Sequence, residues 1–139
     1  MHSPDERLGR DGEGMSQGRR QARRTALFLL YQWDLTGQPI GTNYDGEIDD
    51  FARNLAESVA AQADELDARI SAVSGDWPAG QLGTLERNVL RIGIHELDEG
   101  TVPLEVVMDE AVTLAKRYSS EDAGRLVNGI LGAISREAA

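Results

Sequence analysis

Apolar residues recur at three- and four-residue spacing along almost the whole chain from Ala22 to Ile134, and no segment sustains the period-two alternation of a half-buried strand. That pattern restricts the fold to packed helices. Ala22, Ala26, Leu29, Leu30 and Trp33 mark a first helix, with Ser16 as its expected N-cap and Gly37 and Pro39 as its stop. A second, long helix fits Ile48, Phe51, Ala52, Leu55, Val59, Leu66, Ile70 and Val73, ending near Gly75 and Pro78. A third carries Leu85, Val89, Ile92 and Leu97, with Thr84 as cap and Gly100 as stop. Pro103 suits the first turn of a fourth, with Leu104, Val107, Ala111, Leu114 and Tyr118 on its inner face.

Ser119 or Ser120 caps a fifth helix, whose first turn sets Glu121 and Asp122 against the helix dipole. Its inner face is Ala123, Leu126, Val127, Ile130, Leu131 and Ile134. Gly129 and Gly132 lie inside it, and each costs about 1 kcal/mol of helix propensity relative to alanine, which predicts close approach of another helix there. The expected fold class is all-α, a helical bundle.

At 139 residues the chain has room for one domain with a real core. Residues 1–16 hold three glycines, one proline and no apolar periodicity, and are expected to form a flexible tail outside a domain of residues 17–139. The absence of cysteine excludes a disulfide framework, a thiolate zinc site and a cysteine nucleophile. The longest apolar run, Ala26 to Tyr31, falls far short of the roughly 20 residues that cross a bilayer. The acidic, polar start is unlike a signal peptide, so the expected location is cytoplasmic, with no membrane partner.

The net charge of −10 argues against a nucleic-acid partner when taken alone. Its distribution argues otherwise. Arg19, Arg20, Arg23 and Arg24 fall within six residues, and no acid occurs between Met15 and Trp33. Residues 34–76 carry a net charge of −8. One basic end therefore stands on an acidic body. Like charges four apart on a helix repel, so the cluster poorly serves a purely structural role. Arginine's planar fork suits phosphate oxygens and stacks on bases. Three readings stay open: a nucleic-acid contact, a basic face that is either solvated or paired with the acidic body, and an acidic protein partner.

Tyr31 follows two turns beyond Arg23 and Arg24 and offers a stacking platform for a splayed base, or half-buried packing. A second constellation, Lys116-Arg117-Tyr118-Ser119-Ser120-Glu121-Asp122, joins a helix end to a helix start. Asp122 there can accept from base edges or simply compensate the dipole. Catalytic signals are absent. His95 stands alone beside Glu96, His2 lies in the tail, and Asp45, Glu47, Asp49 and Asp50 read as a solvated charge run. No phosphate-cradling glycine loop and no nucleophile–base pair occurs, so the chain is not expected to be an enzyme.

Three blocks resemble the NusB family of bacterial transcription antitermination factors. The first is Arg20-Gln21-Ala22-Arg23-Arg24-Thr25-Ala26 leading to Leu30-Tyr31, and the second is Leu85-Glu86-Arg87-Asn88-Val89-Leu90-Arg91-Ile92 with Glu96-Leu97. The third runs from Pro103 through Asp109-Glu110-Ala111, Leu114-Ala115-Lys116 and Glu121-Asp122 to Val127-Asn128-Gly129-Ile130-Leu131. The resemblance implies two packed helical subdomains and a non-enzymatic role. It implies pairing with NusE, a small-subunit ribosomal protein, and binding of single-stranded boxA RNA. That assembly joins RNA polymerase with NusA and NusG, suppresses termination and supports ribosomal RNA synthesis.

By motif position, Arg19, Arg20 and Arg23 would contact RNA, joined by Arg24 from the same cluster. Tyr31, Tyr118 and Asp122 would line the same surface, and Glu86 would meet NusE. Some members dimerise over the arginine-rich surface, so a homodimer is a further implied form; a helical protein-interaction module without RNA binding is the alternative function. A NusB-like domain also fronts certain ribosomal RNA methyltransferases, but no catalytic part is expected after Ala139 here. The short stretch between Trp33 and Phe51 implies a reduced or missing second helix, and Leu126 stands where an aromatic often occurs. Four arginines on single-stranded phosphates imply a salt slope of about −3, from roughly −0.7 per contact.

Overall fold

The structure is a computed structural model that describes the backbone of residues 4–75 and 79–138, and the side chains of residues 18–75, 79 and 81–137. Its six α-helices are α1 (Pro4–Thr36), α2 (Asp50–Ala61), α3 (Ala63–Val73), α4 (Thr84–Glu99), α5 (Leu104–Tyr118) and α6 (Glu121–Ala138), with one 3₁₀ turn at Ala79–Gln81. No strand occurs among the described residues, so the all-α expectation holds.

The α4 helix is the axis of the molecule. Every residue from Asn88 to Glu96 on it is buried, and it packs against α1, α2, α3, α5 and α6. A helix covered on all sides is ordinarily apolar all round. Here Asn88, Arg91, His95 and Glu96 interrupt the apolar residues, and each is buried with a partner. The α1–α2 pair forms one subdomain against it, and α5 and α6 pair on the other side, with α3 closing against α4 and α6. Leu27, Leu30, Val59, Leu66, Ile70, Leu90, Ile94, Val127 and Leu131 fill the shared core.

A buried charge network fixes the C-terminal half of α1 on α4. The Asp34 carboxylate oxygen Oδ2 accepts from Arg87 Nη2 at 2.8 Å, Arg91 Nη1 at 3.0 Å and Asn88 Nδ2 at 3.1 Å. Arg91 also clasps Asp67 of α3 with Nε and Nη2, and its guanidinium lies over the Trp33 ring. Burial works against the charge of Arg91, but the hydrogen bond to Asp67 and the pull of Asp67 and Asp34 outweigh it and hold the guanidinium pKa above its usual value. One network thus ties three helices together.

Several helix ends follow the sequence. Gly37 and Gly100 stop α1 and α4 in the left-handed conformation, at φ 72° and 71°, and donate back to Trp33 and Glu96. Ser120 caps α6, accepting from the Ala123 amide at 3.0 Å. No helix occurs between Thr36 and Asp50, in keeping with the short segment there.

Other boundaries differ. Helix α1 begins at Pro4, so Ser16 lies within it; His2 and Pro78 fall outside the described residues. The long second helix is two helices, broken at Gln62, whose φ of −105° and ψ of 9° end α2 and redirect the chain into α3. Gly83, not Thr84, is the N-cap of α4, and Pro103 is the N-cap of α5. Close approach occurs at Gly93, where an added Cβ would stand 2.9 Å from Leu131 Cδ1, and not at Gly129, which is exposed and faces open space.

Candidate nucleic-acid interface

The helical turn of 100° per residue sorts the arginine cluster before any contact is considered. Arg20, Arg24, Phe28, Tyr31 and Leu35 fall on one narrow stripe of α1. Arg23 stands three and four residues before Ala26 and Leu27, on the arc that packs against the rest of the molecule. Arg19 is turned about a quarter of a circle from Arg20, toward α2.

The side chains follow this division. Arg23 is inside: its Nε donates to both oxygens of Glu96, at 2.8 and 3.0 Å, with 3% of the side chain exposed against 9% for Glu96. Its Nη2 is buried without a hydrogen-bond partner. The expectation that Arg23 shares an outer face with the other arginines is therefore corrected. Its position in the apolar register of α1 was the signal, and the run of neighbouring arginines obscured it.

Arg19 lies over the Phe51 ring of α2, 5.5 Å from its centroid. Arg20 donates through Nε to Glu110 of α5 at 2.6 Å, while 56% of its side chain stays exposed. Arg24, half-buried, reaches back along its own helix to Gln21 Oε1 at 3.0 Å. Three arginines thus remain at the surface, each held lightly and from a different side.

Helices α1 and α5 meet side chain to side chain at two places, each eight residues apart along its helix. Arg20 touches Glu110, and Phe28 sets its ring against Tyr118 at 5.1 Å and 80°, an edge-to-face pair. The two helices therefore run in the same direction where they meet. Between the two contacts Arg24 faces outward, and beyond them Tyr31 is 37% exposed. The strip has cations at one end and aromatic rings at the other.

The far end gathers the second constellation. Arg117 lies over Tyr118 at 5.5 Å, and the Ser119 hydroxyl donates to Glu86 of α4. Asp122, 87% exposed, pairs with Arg125 one turn along α6. Phe28, Tyr118, Ser119 and Glu86 form an unbroken chain of contacts, so Glu86 is brought to the aromatic end of the strip. Phe28, Phe51 and Glu110 were not among the expected site residues, Phe51 having been read as part of a helix's apolar face. The spacing of Phe28, four residues after Arg24, pointed to it; nothing local distinguished Phe51 or Glu110.

Among the described residues, no group of three or more His, Cys, Asp or Glu could hold a metal ion. No described helix is long and apolar enough to cross a membrane.

The model of the NusB family matches residues 20–136. The chain is 41% identical over 120 residues to the transcription antitermination protein NusB of Rubrobacter xylanophilus, covering 81% of this chain and 86% of that protein. It superposes on T. maritima NusB with a TM-score of 0.75 at 32% identity, covering 86% of this chain and 91% of that one. It superposes on a chain from a crystal structure of antitermination factors NusB and NusE in complex with double-stranded RNA with a TM-score of 0.74 at 32% identity, covering 86% of this chain and 96% of the other. The match takes in Arg20, Arg23 and Arg24, the buried α4 and nearly all of the α5–α6 pair, and the chain belongs to the NusB family of non-enzymatic transcription antitermination factors.

Proposed function

We propose that this protein binds single-stranded boxA-type RNA together with NusE, and that the assembly joins RNA polymerase with NusA and NusG to suppress termination and support ribosomal RNA transcription in the cytoplasm. The observation that carries the reading is the strip along α1 and α5. Arg20 and Arg24 present guanidinium groups to phosphates, and Phe28, Tyr31 and Tyr118 follow as stacking surfaces. Arg19 adds a third cation from the α2 side, and Asp122, exposed at the far end and paired only with the equally exposed Arg125, would exchange that partner for a base edge. Arg23 acts from beneath, by fixing the helix that displays the others.

Glu86 is the expected NusE contact, and the exposed Leu35, beyond the stacking rings on the same stripe of α1, is apolar surface that a protein partner would cover. A NusB solved with NusE and RNA is among the structures this chain resembles, which supports both partners. The RNA in that structure is a duplex, whereas exposed rings favour unpaired bases. Residues 17–139 make up the binding domain, and residues 1–16 act as a tail outside it.

The deciding experiment is a titration of boxA-type RNA at several salt concentrations, with and without NusE, using duplex RNA as competitor. Arg20→Ala and Arg24→Ala are expected to weaken binding at every salt, and NusE is expected to tighten it. A tight dimer that binds no RNA even with NusE present would instead favour a helical protein-interaction module.

A further inference from the structure

On the other side of Arg19 from the strip, α1, α2 and the C-terminal end of α4 enclose a cavity of about 410 Å³. That is ample for a small ligand. Its apolar wall is the exposed ring of Phe51 with Leu55 behind it, and the Arg19 guanidinium covers part of the ring. Asn54 and Ser58, one and two turns along α2, contribute an amide and a hydroxyl. Glu96, His95 and Glu99 form the α4 side.

The charges of this cavity nearly cancel. Glu96 is neutralised from behind by Arg23, and Arg19 offsets Glu99. His95 is occupied on both ring nitrogens, with Gln62 Nε2 3.3 Å from Nδ1 and Glu99 Oε1 3.3 Å from Nε2. With Glu96 already paired and Glu99 set against the one partly buried cation, Arg19, the cavity has no excess attraction for a phosphate. The fitting ligand is planar and uncharged, able to stack on the Arg19–Phe51 pair, with N–H donors on one edge for the Glu99 carboxylate. Asn54 can both donate and accept along the same edge.

A nucleobase has this chemistry, and the strand that would deliver it meets Arg20, the next residue along α1. We propose that the cavity receives one base splayed out of the bound RNA, stacked beside Arg19 and Phe51 and read by Asn54 and Glu99. The carboxylate selects a base with an exocyclic amino group over uracil. This inference rests on the RNA-binding reading above, and deepens it from a charged strip to a strip with a base-specific pocket at one end.

The test uses the full chain with NusE and single-stranded boxA-type RNA carrying 2-aminopurine at each position in turn. One position is expected to change fluorescence through stacking in the cavity. Phe51→Ala should abolish that change and lower affinity about ten-fold or more, since Phe51 is exposed and dispensable for the core. Glu99→Gln should leave the stacking signal but erode the preference for an amino-bearing base there. Arg20→Ala should weaken binding while keeping the signal at saturation. RNA binding and fluorescence unchanged in both Phe51→Ala and Glu99→Gln would overturn the pocket and leave the RNA reading standing. A folded wild-type chain that binds no RNA would overturn both.

Discussion

Arg23 and Glu96 tie the middle of α1 to the central helix, with the Arg23 Nε 2.8 Å from one carboxylate oxygen and 3.0 Å from the other. Both side chains are almost wholly buried, so each charge depends on the other for its compensation. Arg23→Ala leaves Glu96 buried and unpaired, and is expected to cost about 3–5 kcal/mol. Replacing both residues together, Arg23→Met with Glu96→Leu, should recover most of that loss. Urea unfolding of the two variants measures the difference. A single variant as stable as the parent would mean that the arginine is not inside.

On the RNA-binding reading, the burial of Arg23 leaves three of the four clustered arginines, Arg19, Arg20 and Arg24, to meet phosphates. At roughly −0.7 per phosphate contact, the slope of log affinity against log salt should be about −2 without NusE. The sequence alone implied a steeper value of about −3. Filter binding or fluorescence anisotropy across a salt series separates the two, and the steeper slope would require Arg23 to leave Glu96.

On the RNA-binding reading, Glu110 would compete with a phosphate for Arg20. Over half of the Arg20 side chain is exposed while Glu110 is mostly covered, so solvent screens the pair from the arginine side and breaking it is expected to cost about 1 kcal/mol of stability. Glu110→Gln should therefore tighten RNA binding by about two- to five-fold, with the gain fading as salt rises. Looser binding in this variant would show that Glu110 orients Arg20 for the phosphate and does not sequester it.

Two glycines should respond in opposite directions to alanine. At Gly93 the new Cβ would press on Leu131, which is fully buried and has no room to yield, at an expected cost of about 1–3 kcal/mol. At Gly129 the new methyl meets open space within α6, and helix propensity should add up to about 1 kcal/mol. Thermal unfolding of the pair checks both signs. If Gly129→Ala is neutral in stability yet weakens RNA or NusE binding, that face of α6 belongs to the interface.

Much of the fold was written locally. Apolar spacing marked the helices, Gly37 and Gly100 ended two of them, and Ser120 began another, because a left-handed turn and a capping hydroxyl are properties of single residues and their neighbours. The break at Gln62 had no such sign. Residues 59–66 contain neither proline nor glycine and suit one continuous helix, and the chain turns there because α2 lies against α1 while α3 lies against α4 and α6. Propensity gave way to packing.

The candidate site divides in the same way. The sequence by itself determined that a cluster of arginines would sit on a helix ahead of an aromatic, on a chain otherwise acidic. Helical register already set Arg23 on the apolar arc, but the partner of each arginine was decided only by the tertiary structure, which brought Glu96 from 73 residues away to Arg23, Glu110 from 90 residues away to Arg20, and Phe51 beneath Arg19. Charge is a property of the residue, but its availability depends on the groups that folding sets beside it, and those lie too far along the chain for any local pattern to record.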